Sequence, residues 1–273
     1  MKRASRVSAY WRRDVEFAHR NWRFMMGAGE LSPVQDQSSR GEVFHQSDRT
    51  RVTRIRWGGH TVIRKEPLGA DAERRLLHEA AMLERLRGVA GVVQLVEVPR
   101  FPRSLVLEDA GCTTLADLAK PLPTGDLFDV GLKLARAVAR MHQQGVMHRD
   151  LSPNNVVMSR DGEVCVVDFA LASSFAELRL EFTHHSQIVG TLAYLAPEQT
   201  GRTGRAVDQR ADLYALGATL YELATGEPPF GSGDPLRLVH DHLARHARAP
   251  GEVNPELPEW FSAIVMHLLE KEP

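Results

Sequence analysis

The segment VMHRDLSPNNVVM, residues 146–158, places an acid, a base and two amides between short apolar runs. Asp150 and Asn155 lie in this segment, and Asp168 ends the next apolar run, VCVVD. Mg²⁺ prefers oxygen ligands and is commonly bound by one or two carboxylates, phosphate oxygens and water. We therefore expect Asn155 and Asp168 to hold magnesium, and Asp150 to orient a hydroxyl group and accept its proton. The alternative is that these residues only cap turns, as Asp and Asn often do.

Two charged residues earlier in the chain could serve the same chemistry. Lys65 ends the strand-like run VIRK, and Glu79 lies in the helical run HEAAML. Transfer of a phosphoryl group needs a cation on the nucleotide phosphates, and a carboxylate can hold that cation in place. Glu73 and Glu84 share the helical run and remain alternatives to Glu79. Lys65 could also be an exposed lysine at the end of a strand.

The first part of the chain has the pattern of a small antiparallel sheet with one helix. Short strands are predicted for EVFH, TRVTRIRW and HTVIRKE, separated by the polar turn QSDR and by Gly58-Gly59. A helix is predicted for DAERRLLHEAAMLERL, and two more strands for GVVQLVEV and RSLVLED.

The remainder of the chain is predominantly helical. One apolar face ends near Gly145 and is formed by Leu127, Val130, Leu134, Val138 and Met141. Short strands are predicted at NVVM and VCVVDF, and helices at 208–225, 234–246 and 258–270, each opened by Asp or Pro. Strands followed by helices predict an α+β fold with two lobes.

Together these segments resemble the eukaryotic-type (Hanks-type) protein kinases. HRDLSPNN is similar to the catalytic loop of that family, DFA to its magnesium-binding DFG motif, and VIRK to its lysine-bearing third strand. GTLAYLAPEQ resembles the substrate-binding loop that ends in Ala-Pro-Glu. DLYALGATLYELATGEPPF resembles the helix that supports the catalytic loop, with Asp212 as its anchoring acid.

The resemblance implies a bilobal fold: a small antiparallel-sheet lobe with one helix at residues 41–110, and a mainly helical lobe at 111–273 whose last helix is incomplete. Residues 1–40 form an extension and linker. It implies a Ser/Thr protein kinase that uses ATP and Mg²⁺. The implied catalytic residues are Lys65, Glu79, Asp150, Asn155 and Asp168, with Asn155 and Asp168 as metal ligands. The implied nucleotide-binding residues are Lys65, Leu107, Glu108, Ala110, Ser47 and Val52.

Other assignments concern the segment before Ala-Pro-Glu and the surface after it. By resemblance, Thr191 faces the catalytic aspartate. Arg149 implies an ordered, phosphorylated activation segment, for which the candidate phosphate acceptors are Thr183, Ser186 and Ser174. His184-His185 has no partner at metal-ligand spacing and is read as part of a loop. Arg202, Arg205 and Arg210 form a solvated basic face or a docking site for an acidic partner.

The sequence departs from the family at four places. His45, Ser47 and Thr50 stand where glycines would let the backbone approach phosphates, so weaker nucleotide binding is expected. Ser152 replaces a lysine beside the transferred phosphate, and Ala170 replaces the glycine of the DFG motif. Glu198 lacks the arginine with which the family pairs it. The alternative function is therefore a pseudokinase, a nucleotide-binding docking or regulatory module. A small-molecule phosphotransferase is a third class.

Composition narrows the setting. The formal net charge of -1 gives no bias toward nucleic acid, and the two cysteines, Cys112 and Cys165, are too few for a disulfide framework. No apolar run has the length of a membrane span, so a cytoplasmic protein is expected. Residues 1–33 have helical apolar spacing among arginines, which suits a helix on its own domain, a partly ordered tail or a membrane-surface helix.

The expected partners are protein hydroxyl groups, including those of the chain itself. Residues 41–273 also resemble the N-terminal kinase module of very large bacterial signalling proteins, in which an ATPase domain and often a sensor histidine kinase follow. That resemblance implies such domains downstream in longer relatives.

Overall fold

The computed structural model describes residues 41–98, 101, 103–175 and 192–272 of the chain. It divides into two compact units: one runs up to Arg87 and resumes at Val93–Asp109, and the other contains Gly88–Val92 and everything from Ala110 onward. The division at Asp109 lies next to the predicted lobe boundary, and the domain assignment itself stays a prediction. The predictions for residues 1–40, and for Thr183, His184, His185, Ser186 and Thr191, fall outside the described residues.

The first unit is built on a four-stranded antiparallel sheet. Its strands, in spatial order, are β1 (Glu42–Gln46), β2 (Thr50–Trp57), β3 (His60–Pro67) and β4 (Leu105–Glu108). Trp57 pairs with His60, so the hairpin loop is only Gly58-Gly59, and both glycines have positive φ, 57° and 84°. Two-residue hairpin loops of this kind require positive φ at both positions, which glycine adopts at least cost. The predicted sheet is confirmed.

Helix α1 (Ala72–Arg85) accompanies this sheet, as predicted, and turns Leu76, Glu79, Met82 and Leu83 inward. The spacing of these residues, three or four apart, puts them on one helical face. Three are apolar and one is a carboxylate. A buried carboxylate on an otherwise apolar face requires a partner, because an unpaired buried charge is strongly destabilising.

The strand predicted for GVVQLVEV is wrong as a regular strand. Val92 makes an isolated parallel bridge to Val166, while Leu95 makes an isolated antiparallel bridge to Leu107. Since the two ends of the segment pair with different strands, no continuous ladder forms. The backbone groups are nevertheless bonded to β4, because Val96 N–H donates to Val106 at 2.8 Å and Glu108 N–H donates to Gln94 at 2.9 Å.

The second unit is mainly helical. The helices are α2 (Thr124–Gln143), α3 (Arg210–Thr225), α4 (Pro235–Ala244), α5 (Pro250–Val253) and α6 (Glu259–Leu268). The short strands are β5 (Thr113–Thr114), β6 (Val146–Met147), β7 (Val156–Met158), β8 (Val164–Val166) and β9 (Ser173–Ser174). The predicted helices are confirmed to within a few residues, and α5 was missed because its four residues are too few to show a periodic pattern.

Helix α3 forms the centre of this unit. Every residue from Tyr214 to Ala224 is buried, as expected of a helix that carries apolar residues on all its faces. The one carboxylate in this stretch, Glu222, pairs with Lys120 at 2.6 Å. Helices α2 and α6 both pack against it. Gly217 lies at the α6 contact, where a Cβ atom would come within 2.7 Å of the Leu268 Cβ atom. The predicted apolar face of α2 is fully buried, and Gly145 follows the helix with φ 71°.

Cys165 lies on β8 as predicted, but its side chain is only half-buried, whereas Cys112 is exposed.

None of the helices in the part of the chain that the structure describes combines the length and the hydropathy needed to cross a bilayer.

We expect Gly217→Ala to lower the free energy of unfolding by about 1–3 kcal/mol, because the added methyl group overpacks the α3–α6 contact. Gly125 in the first turn of α2 is the matched control, since a Cβ there would meet nothing within 4 Å. Gly125→Ala should raise stability by about 0.5–1 kcal/mol through reduced chain entropy. Urea unfolding measures both, and equal effects of the two substitutions would contradict the packing argument.

Candidate active site

Lys65 and Glu79 form a buried ion pair in the first unit. Lys65 lies on β3 and Glu79 on α1; they are 7% and 4% exposed, and 2.7 Å separates Lys65 Nζ from Glu79 Oε1. The structure therefore selects Glu79 among the three candidates, because Glu73 is exposed and Glu84 pairs with Arg87. Two charges taken from water are tolerated here because each neutralises the other. The pair fixes the ammonium group of Lys65 at one end of β3.

The sheet places Val52 beside that lysine. Val52 on β2 is directly opposite Lys65 on β3, and Lys65 is directly opposite Leu105 on β4. Residues directly opposite in antiparallel strands project from the same face of a sheet. The predicted nucleotide residues Val52 and Lys65 thus share one face.

The turn between β1 and β2 is satisfied by its own hydrogen bonds. The Ser47 hydroxyl accepts from the backbone N–H groups of Arg49 at 3.3 Å and Thr50 at 3.2 Å, and Ser47 N–H donates to Thr50 O at 2.9 Å. These are N–H groups of the same kind that a glycine-rich turn leaves exposed to phosphates. The serine that was assigned to nucleotide is occupied within its own turn in this structure, and its nucleotide role stays a prediction.

Arg75 attaches this turn to α1, a contact that could not be predicted from the sequence. Its guanidinium donates to Arg49 O at 3.1 Å and to Leu68 O at 2.5 Å, and Leu68 N–H donates to Arg49 O at 2.7 Å. Because Arg75 stands one helical turn before Glu79, the helix that holds Lys65 also holds the tip of the β1–β2 hairpin. The tip is consequently more restrained than a glycine-rich loop.

Three of the predicted nucleotide-binding residues lie in β4 or directly after it. Leu107 is buried within the strand, Glu108 is exposed at its end and Ala110 is half-buried. Asp109, between them, holds Arg54 of β2 through two contacts, Nε–Oδ2 at 2.8 Å and Nη2–Oδ1 at 2.9 Å. A two-point contact of this kind fixes the orientation of the Asp109 carboxylate and also neutralises its charge.

In the second unit, Asp150 and Asn155 are in direct contact. Asn155 Nδ2 donates to the backbone carbonyl of Asp150 at 2.8 Å and to its Oδ2 atom at 3.0 Å. With the amide nitrogen turned to Asp150, the amide oxygen of Asn155 is the atom that remains for a cation. The structure thus joins the predicted proton acceptor to one predicted metal ligand.

Asp168 belongs to the same loop cluster. Val167, which precedes it, donates its N–H to Asn155 O at 2.9 Å. Asp168 has φ 63°, and its Oδ1 atom accepts from Ala170 N–H at 3.3 Å. A carboxylate and an amide oxygen are hard donors that suit Mg²⁺, which takes its other ligands from phosphate and water. The residue types and their proximity fit the magnesium role that the sequence assigned to Asn155 and Asp168.

His148 connects the two loops that carry these residues. Its Nδ1 atom accepts from Asp150 N–H at 3.3 Å, and its Nε2 atom lies 3.0 Å from Val167 O. The two ring nitrogens thus contact the backbone of both loops. The ring also meets Phe169 edge-on, with centroids 4.9 Å apart.

Asp212 of α3 anchors the predicted catalytic loop, as the resemblance implied. It is 1% exposed and accepts from the backbone N–H groups of His148 and Arg149, both at 2.8 Å. His142 Nε2 lies 2.8 Å from the same carboxylate, a partner that the sequence did not reveal. His142 was missed because a polar residue at the end of an amphipathic helix gives no signal of a contact with a residue far along the chain.

The departures from the family have distinct structural outcomes. Ser152 is 2% exposed in extended backbone and offers no positive charge. Ala170 does not have a positive φ, so alanine fits this backbone without strain. Glu198 is buried and forms no ion pair with a described residue, and burial raises the pKa of its carboxyl group.

Two secondary assignments are weakened. Ser174 is 3% exposed on β9, paired with β6, which disfavours it as a phosphate acceptor in this conformation. In the basic face, Arg205 pairs with Glu272 at 3.0 Å and Arg210 with Asp208 at 2.6 Å. Pairs of this kind at the surface favour the solvated reading over a docking site for an acidic partner.

The chain from Leu192 to Thr200, which follows the undescribed residues, is held by α3 and α4. Leu192 and Leu195 pack with Phe230, Leu238 and Val239. His242 of α4 is fully buried nearby, with Nδ1 2.9 Å from the Tyr214 hydroxyl. Burial lowers the pKa of His242 to about 4; the positive charge of Lys271 adds to the effect, while the backbone of Leu192 opposes it.

Comparison with known proteins agrees with this geometry. Residues 59–273 match the protein kinase domain family. A probable serine/threonine-protein kinase of Streptomyces coelicolor, SCO3848, is 32% identical over 264 residues, covering 90% of this chain and 37% of its own length. The DNA damage-responsive serine/threonine-protein kinase RqkA of Deinococcus radiodurans is 34% identical, covering 72% of this chain and 30% of its own. PknB of Mycolicibacterium smegmatis is 32% identical, covering 65% and 29%.

Together with the matched family, the antiparallel sheet of the first unit and the helices of the second define a protein of the kinase class. The chain belongs to the protein kinase family, and its domain is of the Hanks-type serine/threonine class. The predicted resemblance to the Hanks-type Ser/Thr kinases and the predicted fold are thereby confirmed. The resemblance to the kinase module of large multidomain proteins stays a prediction. The chain spans between about a quarter and two fifths of the length of the curated relatives it matches.

We expect acid to destabilise this unit through His242. Its folded pKa, about 4, lies below the ordinary value of 6.5, so the stability contribution is complete above pH 6.5 and is lost as the pH falls toward 4. The loss should be roughly 3 kcal/mol, since one pKa unit corresponds to about 1.4 kcal/mol. Asp241 on the same helix and Lys271 are the charged groups nearby.

Urea unfolding at pH 7 and pH 4.5 measures this dependence. His242→Gln, which does not titrate, should reduce the difference in unfolding free energy between the two pH values. His246→Gln is the control, because His246 is exposed close to α4. An unchanged acid dependence in His242→Gln would refute the assignment to His242.

Proposed function

We propose that this domain transfers the γ-phosphoryl group of Mg-ATP to serine or threonine hydroxyl groups of proteins, in bacterial signal transduction. The observation that carries the proposal is the contact of Asn155 with Asp150, because it positions a proton acceptor and a metal ligand as one unit. The buried Lys65–Glu79 pair supports it from the other unit. The names of the bacterial relatives agree.

In this proposal Asp150 orients the acceptor hydroxyl and takes its proton as the hydroxyl oxygen bonds to the γ-phosphorus. The bond from that phosphorus to the β–γ bridging oxygen breaks, and ADP leaves. Lys65, steadied by Glu79, holds the nucleotide phosphates. Asn155 and Asp168 would hold Mg²⁺, which supplies positive charge to the phosphate oxygens when bound.

The nucleotide base is assigned to the end of β4. Leu107 forms the back of the adenine pocket, and Glu108 and Ala110 offer backbone groups to the base. Val52 contributes the apolar surface that shares a sheet face with Lys65. Ser47 is retained as a phosphate contact of the β1–β2 turn, where binding requires its hydroxyl to exchange the bonds it makes within the turn.

The remaining context belongs to the proposal as well. We place residues 41–110 in the nucleotide lobe and 111–273 in the substrate lobe, with 1–40 as extension and linker. The substrates are cytoplasmic proteins, including other copies of the chain. The low share of its relatives' length that the chain covers is consistent with further domains in longer relatives.

We expect Asp150→Asn to reduce phosphoryl transfer by about 10²–10⁴-fold, since proton transfer by a positioned side chain contributes that much. The measurement is radiolabel transfer from ATP to the chain itself and to a generic protein. Asp161→Asn, an exposed acid between β7 and β8, is the matched control and should retain transfer. Equal labelling by the native chain and Asp150→Asn would instead favour a nucleotide-binding module without catalysis.

We expect Ser152→Lys to raise kcat, because it restores a positive charge beside the transferred phosphoryl group. Loss of one positioned donor costs about 10²–10³-fold in related cases, and an imperfectly placed lysine should recover roughly 10-fold. Ser152→Met, similar in length but uncharged, controls for the added bulk and should show no gain. If the lysine and methionine variants lose activity equally, the missing charge does not limit this enzyme.

A further inference from the structure

Arg149, which directly precedes Asp150 in the predicted catalytic loop, has a strained backbone conformation. Among the described residues, only Arg149 and Asp168 have positive φ without being glycine, at 65° and 63°. A non-glycine residue in this conformation costs about 1–2 kcal/mol. Such residues persist where the surrounding structure over-determines them, and they concentrate at functional sites.

The peptide groups on both sides of Arg149 are held by side chains from elsewhere in the unit. Its N–H donates to Asp212 Oδ1 at 2.8 Å. Its carbonyl oxygen accepts from Gln199 Nε2 at 2.7 Å. Asp212 is the family's expected anchor, whereas neither composition nor the motif pattern pointed to Gln199.

The carbonyl that Gln199 holds belongs to the peptide group that joins Arg149 to Asp150. The N–H of that same peptide group donates to His148 Nδ1 at 3.3 Å. The oxygen and the nitrogen of one rigid peptide plane are therefore both fixed, by Gln199 and by His148. Since this plane leads directly into Asp150, it sets the direction in which the aspartate side chain leaves the backbone.

The other end of the same amide reaches the substrate-binding segment. Gln199 Oε1 accepts from Ala196 N–H at 3.1 Å. Gln199 lies on the one-turn helix Pro197–Thr200, directly after Ala-Pro-Glu. One half-buried side chain thus bridges the backbone at Ala196 and the backbone at Arg149.

We infer that Gln199 is a positioning residue, through which the 192–196 segment fixes the peptide plane before Asp150. The inference rests on the proposed function for its effect on turnover, but the geometry it describes exists without catalysis. When Ala196 is in place, Gln199 is oriented to hold Arg149 in its strained conformation. When the segment moves, that restraint on the peptide plane before Asp150 is lost, and the direction of the aspartate relative to Arg149 is less well defined.

Thr200 provides a test of whether Gln199 serves only its own turn. Its hydroxyl donates to Pro197 O at 2.6 Å and accepts from Arg202 N–H at 3.2 Å. These bonds stabilise the same one-turn helix without contacting residues 148–150. Thr200→Val therefore weakens the turn alone, whereas Gln199→Met removes the bridge at unchanged side-chain length. Gln199→Glu keeps the acceptor for Ala196 N–H but sets an oxygen against Arg149 O.

The experiment measures kcat and the KM for ATP of the 273-residue chain and these three variants. We expect Gln199→Met and Gln199→Glu to lower kcat by about 10–10²-fold with KM for ATP changed less than about 3-fold, because small misplacements of a catalytic group have effects of that size. Thr200→Val should stay within about 3-fold of the native chain. A native-like Gln199→Glu, or an equal loss in Thr200→Val, would overturn the inference.

Hydrogen exchange separates this inference from the proposed function. In Gln199→Met the Asp150 amide should exchange at least ~10-fold faster, since loss of the restraint lets the loop open locally, and in Thr200→Val it should not. This result is expected even if the native chain shows no more transfer than Asp150→Asn, in which case only the proposed function fails. If the Asp150 amide of Gln199→Met exchanges at the native rate, the inference is wrong, whether or not the chain transfers phosphoryl groups.

Discussion

The structure of the catalytic loop depends on one buried carboxylate. Asp212 accepts two consecutive backbone N–H groups, of His148 and Arg149, and so compensates both for its own burial and for the unfavourable backbone of Arg149. Charge-assisted hydrogen bonds of this kind are among the stronger interactions in proteins. Helix α3 can supply this anchor because most of its residues are buried in the core of the second unit. Because Asp212 belongs to α3 and holds the two residues before Asp150, the position of Asp150 depends on the helical core of the second unit.

In the first unit, too, a buried charge is compensated by a partner, but here the positioned group is a lysine and its partner is a carboxylate. Lys65 is held in the buried face of the sheet because Glu79 neutralises its charge there. Arg75, on the same helix, holds the β1–β2 turn whose N–H groups are already bonded to Ser47. The turn that carries His45, Ser47 and Thr50 in place of glycines is therefore held by its own hydrogen bonds and by α1.

Much of the site could be predicted from sequence, because its residues occur at short, fixed spacings within local elements. Asp150 and Asn155 share one loop, and Lys65 ends a strand with a clear pattern. The sequence was therefore enough to predict these three residues as site candidates. The choice of Glu79 over its neighbours needed the family resemblance. By contrast Gln199, His142 and Arg75 act on residues distant in the chain, and a lone polar side chain carries no mark of its partner.

The sequence by itself determined the α+β class, the longer helices, most strands and which acidic and amide residues are candidates for the site, because these depend on local periodicity and residue type. Only the tertiary structure decided that GVVQLVEV forms no regular strand, since its ends pair with different neighbours. It alone decided which side chains hold the strained backbone of Arg149. The physical reason is that hydrogen-bond partners are selected by proximity in space, which periodicity along the chain does not encode.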